Sequence, residues 1–212
     1  MESNLVFNGW HDIKARDTKF FRTVVSAAQR DWEIVELINI YTALKPLRVL
    51  EIGSWHGGTL YHWLKNVQPG GVVVNIDNLS GLPLDVWYAT VQRWKSWKPD
   101  GVEFYSIIGD SDDKESYRLT HEYLKDGIDF IFIDGDHSYE MAKSDFDMYG
   151  PLVRKGGIIA LHDITKEFAG NATTPIDGDS ILRLWREIQA AGYVTQELHI
   201  NLNTCGIGVV YV

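Results

Sequence analysis

Residues 48–58 read RVLEIGSWHGG, and residues 128–139 read IDFIFIDGDHSY. In both stretches a short, mostly apolar run passes directly into a polar turn that contains glycine. Such a run is typical of a strand whose two faces are both covered by helices. Glycine after the strand lets the backbone turn sharply and come close to a ligand. The two stretches therefore predict two strands of a parallel sheet, each followed by a candidate binding loop.

The rest of the chain repeats this alternation of apolar runs and helical stripes. Helices are predicted where apolar side chains recur at three- and four-residue spacing, and strands where short apolar runs lie between glycine-containing turns. Further strands are expected at 72–76, 102–108 and 158–161, and helices at 34–41, 60–67, 85–97, 138–153 and 180–191. Another helix is expected to begin with Asp112 and Glu115 as a capping box, and Gly156-Gly157 to end the helix at 138–153.

The C-terminal part of the chain departs from the alternation. Residues 194–200 and 206–212 are both strand-like, and no helical pattern separates them. The expected fold class is therefore α/β: a Rossmann-like, doubly wound, mostly parallel seven-stranded sheet with a C-terminal antiparallel hairpin. In such sheets ligands bind at the carboxyl ends of the strands, near the point where the strand order reverses.

Composition restricts the classes of function. The length of 212 residues predicts one domain over 1–212, with an N-terminal extension at 1–45 and a core at 46–212. The formal net charge is −9. The acidic balance argues against nucleic acid as a partner, and no apolar run reaches the roughly 18 residues of a membrane span. The single cysteine, Cys205, cannot form an intrachain disulfide; we interpret it as a small packing residue in a cytoplasmic protein.

Polar residues follow each predicted strand. Asp77 ends the second strand, where an acidic side chain can accept hydrogen bonds from ribose hydroxyls or simply cap a turn. Asp110 follows the third strand, where it can hold an adenine amino group or cap the next helix. The glycine turn that begins at Gly53 can bind a ligand or serve only as a tight connection.

The densest polar cluster follows the fourth strand. His137 can act as a general base near neutral pH, unless it is a bystander beside a helix cap. Asp134, His162 and Asp163 stand at two neighbouring strand ends and form an oxygen and nitrogen set that can hold a divalent ion such as Mg²⁺ or Mn²⁺. The alternative is that Asp163 caps a turn and binds no metal.

Taken in order, five motifs at consecutive strand ends resemble class I S-adenosylmethionine (SAM)-dependent methyltransferases. They are VLEIGSWHGGT (49–59), NID (75–77), GDS (109–111), FIFIDGDHSYE (130–140) and PLVRKGGIIALHDI (151–164). Within this class the chain is similar to small bacterial proteins near the catechol and macrocin O-methyltransferases, and to cephalosporin hydroxylase-like proteins. The resemblance covers about four-fifths of the chain.

The resemblance implies roles for individual residues. The residues that would bind SAM are Glu51, Gly53, Ser54, Gly57, Asp77, Asp110, Ser111 and Asp134. Asp134 and Asp163 match metal ligands, and His137, acting with Asp134, matches the catalytic base of macrocin-type enzymes. The catechol type has Asp-Asn at the fifth strand end and the macrocin type Glu-Asp. This chain has His162-Asp163, so the third metal ligand is changed.

We therefore predict O-methylation of a small-molecule hydroxyl, with SAM as methyl donor. Three alternatives stay open: a nicotinamide-dependent oxidoreductase, a SAM-binding module without catalysis, and a hydroxylase-like enzyme on the same scaffold. The chain lacks the G-x-G-x-x-G pattern of the first. The polar stretch 165–179 is interpreted as a substrate lid, and the aromatic residues at 87, 88, 94 and 97 as core packing or the face of a homodimer.

Overall fold

The computed structural model describes residue 29 and residues 31–80, 83–165, 180–199 and 205–212. Within these ranges strands and helices alternate as expected. The strands are β1 (Arg48–Ile52), β2 (Val72–Asp77), β3 (Glu103–Ile108), β4 (Ile128–Ile133), β5 (Val153–His162), β6 (Val194–Leu198) and β7 (Ile207–Tyr211). The helices are α1 (Asp31–Leu44), α2 (Gly58–Asn66), α3 (Leu84–Trp97), α4 (Lys114–Tyr123), α5 (Tyr139–Tyr149) and α6 (Ile181–Ala190).

The strands form one seven-stranded sheet in the order β3-β2-β1-β4-β5-β7-β6. All pairs from β3 to β5 are parallel, whereas β7 pairs antiparallel with both β5 and β6. The predicted fold class, including the C-terminal hairpin, is confirmed. The strand order reverses between β1 and β4, so the crevice expected of a doubly wound sheet lies at the carboxyl ends of these two strands.

Two apolar layers cover the sheet, one on each face. Along β4, Phe130 and Phe132 pack into the layer that contains α1, α2 and α3, whereas Ile131 and Ile133 pack into the opposite layer with α5 and α6. Because successive side chains of a strand point to opposite faces, a strand between two helical layers must be apolar at nearly every position. This explains the unbroken apolar run of β4 that the sequence shows.

The aromatic residues of α3 divide between core and surface. Trp94 and Trp97 are buried in the layer shared with α2, and Trp87 packs partly against it, while Tyr88 is exposed. The packing interpretation therefore holds for Trp94 and Trp97. The described residues contain no helix that is both long and apolar enough to cross a membrane.

Element boundaries differ from the sequence prediction most clearly at the start of α4 and between α5 and β5. The cap of α4 is Asp113, not Asp112: its side chain accepts a hydrogen bond from the backbone N–H of Glu115 at 2.9 Å. The helix expected at 138–153 ends at Tyr149. A single 3-10 turn containing Pro151 follows, because proline has no N–H to continue the helix, and β5 already begins at Val153.

Gly156-Gly157 was expected to end a helix, and this was wrong. Both glycines lie within β5, next to a shift in the pairing register between β4 and β5. Gly156 has a φ of +83°, a conformation that glycine adopts without strain. Of the expected N-terminal extension, the structure describes residue 29 and the residues from Asp31 onward. The expected lid at 165–179 lies outside the described residues except for Thr165, and the single-domain interpretation stays a prediction.

Candidate active site

A cavity of about 720 Å³ opens where the carboxyl ends of β1, β2, β4 and β5 meet. It brings together residues that the sequence placed at four separate strand ends and in the loop after β3. The predicted site residues that line it are Gly53, Ser54, Asp77, Ser111, Asp134, His137, His162 and Asp163. Three predicted cofactor residues, Glu51, Gly57 and Asp110, do not line this cavity.

Glu51 lies beneath the loop that follows β1 and is fully buried. Its carboxyl group accepts hydrogen bonds from the Ser54 hydroxyl at 2.5 Å and from the Trp63 indole N–H at 2.7 Å. Burial in an apolar layer raises the pKa of Glu51 to about 8, although these hydrogen bonds act in the opposite direction. Glu51 is therefore placed to shape the loop from below, not to contact a ligand in the cavity.

Asp77 fixes the same loop from the neighbouring strand. Its Oδ2 accepts hydrogen bonds from the backbone N–H groups of Ser54 at 2.7 Å and Trp55 at 2.8 Å. Its Oδ1 accepts from the N–H of Leu79 at 2.7 Å. A carboxylate has about four lone-pair positions, so these three bonds leave capacity for a ligand group in the cavity that Asp77 lines.

The two predicted loop glycines are needed for close packing. Gly53 has a φ of +81°, and a Cβ there would lie 2.2 Å from the carbonyl oxygen of Asp134. The loops after β1 and β4 can therefore approach each other only with glycine at this position. Gly57 has a φ of +84° and packs against the Trp94 indole, where a Cβ would lie 2.3 Å from Nε1. Its role in the described structure is helix packing.

The loop after β3 is held mainly by α5. Asp110 accepts a hydrogen bond from the Asn78 amide at 2.8 Å, and Asn78, not Asp110, lines the cavity. The Tyr149 hydroxyl donates to the backbone carbonyl of Ser111 at 2.6 Å. Asp145, also on α5, hydrogen-bonds Ser111, and burial raises the pKa of Asp145 to about 7. The sequence pattern did not single out Tyr149 or Asp145, since both lie on a helix far from the strand ends.

His137 and Asp163 form a close pair at the end of the cavity opposite the loop after β3. His137 Nδ1 lies 2.8 Å from Asp163 Oδ2, and its Nε2 lies 3.9 Å from Asp134 Oδ1. The hydrogen bond to Asp163 raises the pKa of His137. Asp163 is buried and its φ is +60°, in the left-handed region that Asp tolerates better than most residues. The His137 side chain is 48% exposed and thus accessible from the cavity.

His162 is buried between the two carboxylates. Its Nδ1 lies 2.9 Å from Asp134 Oδ1 and 3.4 Å from Asp163 Oδ1. Burial lowers the pKa of His162, but the charge and close contact of Asp134, together with the contributions of Asp163 and Cys205, outweigh this effect, and the pKa lies well above its ordinary value. Burial raises the pKa of Asp163, but the nearby imidazoles of His137 and His162 together outweigh this effect, and the pKa of Asp163 is lowered. The three residues predicted as an oxygen and nitrogen set are thus brought together.

Two further residues belong to this cluster, and sequence reasoning missed both. The Gln29 amide donates a hydrogen bond to Asp134 Oδ2. Cys205 is buried, as its interpretation as a packing residue required, but it also lines the cavity. It forms a group with His162 and Asp163 in which one ligand atom of each residue lies within 4.8 Å of the others. Cys205 reaches His162 and Asp163 because β5 and β7 pair, and Gln29 is 105 residues from Asp134, so no local motif could reveal either residue.

Comparison with known proteins gives a family. Residues 50–164, more than half of the 212-residue chain, match the model of the family described as "Methyltransferase domain". The chain is also 32% identical over 127 residues to an uncharacterized protein, R132, of Acanthamoeba polyphaga mimivirus. That alignment covers 55% of this chain and 51% of the viral protein, so the chain spans about half the length of the curated relative it matches.

Solved structures resemble the whole chain. An O-methyltransferase from Bacillus cereus in complex with SAH has a TM-score of 0.65 at 19% identity, over 99% of this chain and 94% of that one. The O-methyltransferase TomG from Streptomyces achromogenes in complex with SAM has a TM-score of 0.59 at 16% identity, over 99% and 93%. The methyltransferase MycE of mycinamycin biosynthesis, in complex with Mg, SAH and mycinamycin VI, has a TM-score of 0.58 at 21% identity, over 84% and 48%.

At these identities the structural likenesses establish the fold, and the family match establishes the relationship. The matched segment runs from within β1 to the residue after Asp163, so it contains the loop after β1, Asp77 and the residues Asp134, His137, His162 and Asp163 at the ends of β4 and β5, but not Gln29 or Cys205. The chain belongs to the methyltransferase-domain family and has the Rossmann-like fold of class I methyltransferases.

Proposed function

We propose that this chain is a SAM-dependent O-methyltransferase that acts on a hydroxyl group of a small molecule. One observation carries the proposal: a single cavity joins the loop after β1 and Asp77 to the His137–Asp163 pair. The first group has the features of a cofactor site, and the second those of a base held by a carboxylate. If these residues served only as tight turns or helix caps, the two groups would not need to share one cavity.

The residues of the cavity fit the cofactor. Asp77 keeps an acceptor position for a ribose hydroxyl while it holds the backbone of Ser54 and Trp55. Gly53, which has no side chain, lets the loop after β1 approach the loop after β4, and Ser111 lines the cavity in the loop after β3, where we propose that the adenine lies. When bound, SAM supplies a methyl group that its sulfonium already activates for transfer to a nucleophile.

The chain itself must manage one proton and align the acceptor. His137 Nδ1 is bound to Asp163, so Nε2 is the ring atom left to take the proton of an acceptor hydroxyl. Asp163 fixes the orientation of the ring and stabilises the imidazolium that forms. Asp134 lies 3.9 Å from Nε2 and adds negative charge on the same side. Methyl transfer would form the O–C bond and break the C–S bond of the cofactor, whose electron pair would go to sulfur and leave SAH; the acceptor proton would pass to His137 Nε2, and the O–H electron pair would stay on oxygen.

Location and assembly are further parts of the proposal. The free, buried Cys205 is consistent with a protein of the reducing cytoplasm. A homodimer is proposed through α3, whose Leu84, Val86 and Tyr88 side chains are exposed. Light scattering on the purified protein tests the dimer, and a monomer would refute it.

The first experiment is calorimetric titration of the purified protein with S-adenosylhomocysteine (SAH), with NAD as the parallel ligand. Micromolar binding of SAH without binding of NAD supports the proposal and justifies an acceptor screen with labelled SAM. Binding of NAD alone would overturn it in favour of an oxidoreductase. SAH binding without turnover on any hydroxylated acceptor would favour the non-catalytic module.

A further inference from the structure

The donor atoms at the ends of β4 and β5 do not match an oxygen-only magnesium site. Mg²⁺ prefers six oxygen ligands in octahedral geometry and usually keeps several of its waters. Among the described residues of the two overlapping ligand groups, Asp134 and Asp163 offer carboxylate oxygens, His137 and His162 offer imidazole nitrogens, and Cys205 offers a thiol. A magnesium ion would leave the two histidines and the cysteine unused.

The geometry of the buried part of this cluster suits a smaller coordination number. The ligand atoms of His162, Asp163 and Cys205 all lie within 4.8 Å of one another, and all three residues are buried. Two ligands of a tetrahedral zinc ion, each about 2.1 Å from the metal, lie about 3.4 Å apart. His162 Nδ1 and Asp163 Oδ1 are 3.4 Å apart.

A second observation points to a ligand at the same place. Asp163 Oδ1 and both ring nitrogens of His162 are buried and form no well-directed hydrogen bond among the described residues, although His162 Nδ1 lies within ion-pair distance of Asp134 Oδ1 and Asp163 Oδ1. The 2.9 Å approach of His162 Nδ1 to Asp134 Oδ1 does not lie along a hydrogen-bond direction. Buried polar atoms without well-directed hydrogen bonds cost free energy, and three such atoms in one cluster of possible metal ligands favour a bound ion at this place.

We propose that His162, Asp163 and Cys205 bind a borderline transition-metal ion of the Zn²⁺ type, in preference to Mg²⁺. Imidazole and thiolate ligands select such ions, whereas carboxylates and water suit magnesium. Three protein ligands leave the fourth position of a tetrahedral ion open toward the cavity, as in catalytic zinc sites. The role of the ion, which is to hold the acceptor oxygen, rests on the proposed function. Binding of the ion itself does not require methyl transfer.

The test uses the full chain, freed of metal with a chelator and titrated with Zn²⁺ alone by calorimetry. We expect one Zn²⁺ per chain and no displacement by excess Mg²⁺. Cys205→Ser and His162→Asn should each weaken Zn²⁺ binding by at least about tenfold. His121→Asn, which removes an exposed imidazole on α4, is the matched control and should bind as the unchanged protein does.

Co²⁺ gives a readout that does not depend on affinity. The Co²⁺ complex of the unchanged protein should show a thiolate-to-metal charge-transfer band, and Cys205→Ser should abolish the band. Thermal unfolding checks that each variant folds; if Cys205→Ser does not, Cys205→Ala replaces it.

Three results would overturn the proposal: no stoichiometric Zn²⁺ binding, equal affinity in all variants, or displacement of Zn²⁺ by Mg²⁺ at a similar concentration. SAH binding to the metal-free protein is measured separately. Failure of that binding counts against the proposed function and not against the metal site.

Discussion

At the scale of single residues, the site depends on side chains that hold one another. His137 is the proposed base, and its orientation comes from the 2.8 Å contact between its Nδ1 and Asp163. Glu51 is the opposite case, because it supports the loop after β1 from a fully buried position and does not line the cavity. The two residues lead to different predictions, one on rate and one on stability.

Replacement of His137 by glutamine should lower kcat with a small-molecule acceptor by about 10²–10⁴-fold, the usual contribution of a general base. The affinity for SAH should change far less, since the proposed cofactor contacts come from other residues. Steady-state kinetics with labelled SAM measure the first effect, and calorimetry the second. The matched control is His121→Gln, an exposed histidine on α4. Unchanged turnover in His137→Gln would show that another group takes the proton.

The raised pKa of Glu51 predicts that the stability of the folded protein depends on pH. Its pKa is raised from 4.5 in the unfolded chain to about 8 in the folded protein. Between these values the folded state holds a proton that the unfolded state releases. The contribution of Glu51 is therefore fully present below pH 4.5 and is lost as the pH rises to about 8, at up to about 1.4 kcal/mol per pH unit.

Urea unfolding of the unchanged protein and of Glu51→Gln, from about pH 5 to about pH 8, measures this effect. Glutamine does not titrate, so the stability of Glu51→Gln relative to the unchanged protein should rise across this range. Glu140→Gln, at an exposed glutamate of α5, is the control and should run parallel to the unchanged protein. If the free energy of unfolding of Glu51→Gln also ran parallel to that of the unchanged protein, Glu51 would be ionised in the folded state across this range.

At the scale of elements, β4 is fixed at both of its ends. Its carboxyl end carries Asp134, and its amino end carries Asp129, which is fully buried. Asp129 Oδ2 accepts hydrogen bonds from the backbone N–H groups of Leu47 at 2.7 Å and Arg48 at 2.9 Å, just before and at the start of β1. The guanidinium of Arg154 on β5 also contacts Asp129. One carboxylate therefore ties the beginnings of three adjacent parallel strands together.

Asp129→Ala should destabilise the protein by about 2–4 kcal/mol. The substitution leaves two backbone N–H groups and the guanidinium groups of Arg48 and Arg154 without their carboxylate. The figure lies below that of a fully buried ion pair, since both arginine side chains are partly exposed. Chemical denaturation measures the change in the free energy of unfolding. Asp126→Ala, at an exposed aspartate just before β4, is the control. A loss below about 0.5 kcal/mol, as expected of an ordinary surface position, would contradict this role.

At the scale of the whole molecule, ligand binding should couple the loops around the cavity to global stability. A ligand that binds only the folded state stabilises it by about 2.7 kcal/mol when its concentration is 100 times Kd. SAH should therefore raise the Tm of the unchanged protein in proportion to the logarithm of its concentration.

Asp77→Ala should lower the starting Tm, because three backbone N–H groups lose their acceptor, and should also reduce the increase in Tm caused by SAH. Differential scanning calorimetry gives both quantities in one series. Asp85→Ala, at an exposed residue in the first turn of α3, serves as the control. An undiminished increase in Asp77→Ala would exclude Asp77 from the cofactor site.

Much of this molecule follows from its sequence alone. Apolar runs of five or six residues define β1 and β4, and side-chain spacing defines α1 and α3, because strand and helix periodicity are local properties. The alternation of strands and helices predicted the doubly wound sheet and its ligand-binding edge. The prediction was least accurate where local signals compete, as in Gly156-Gly157, where glycine fits a helix end and a strand irregularity equally well.

Only the tertiary structure decided which of the candidate residues share a site. Glu51 and Ser54 are three residues apart and hydrogen-bonded to each other, yet only Ser54 lines the cavity, because Glu51 lies within β1 beneath the loop whereas Ser54 lies in the loop itself. Cys205 joins His162 and Asp163 because β7 pairs antiparallel with β5, which brings the residues before β7 beside those after β5. The sequence thus determined the elements and the edge at which the chemistry lies. The long-range pairing of strands, which no local pattern encodes, selected the side chains that meet there.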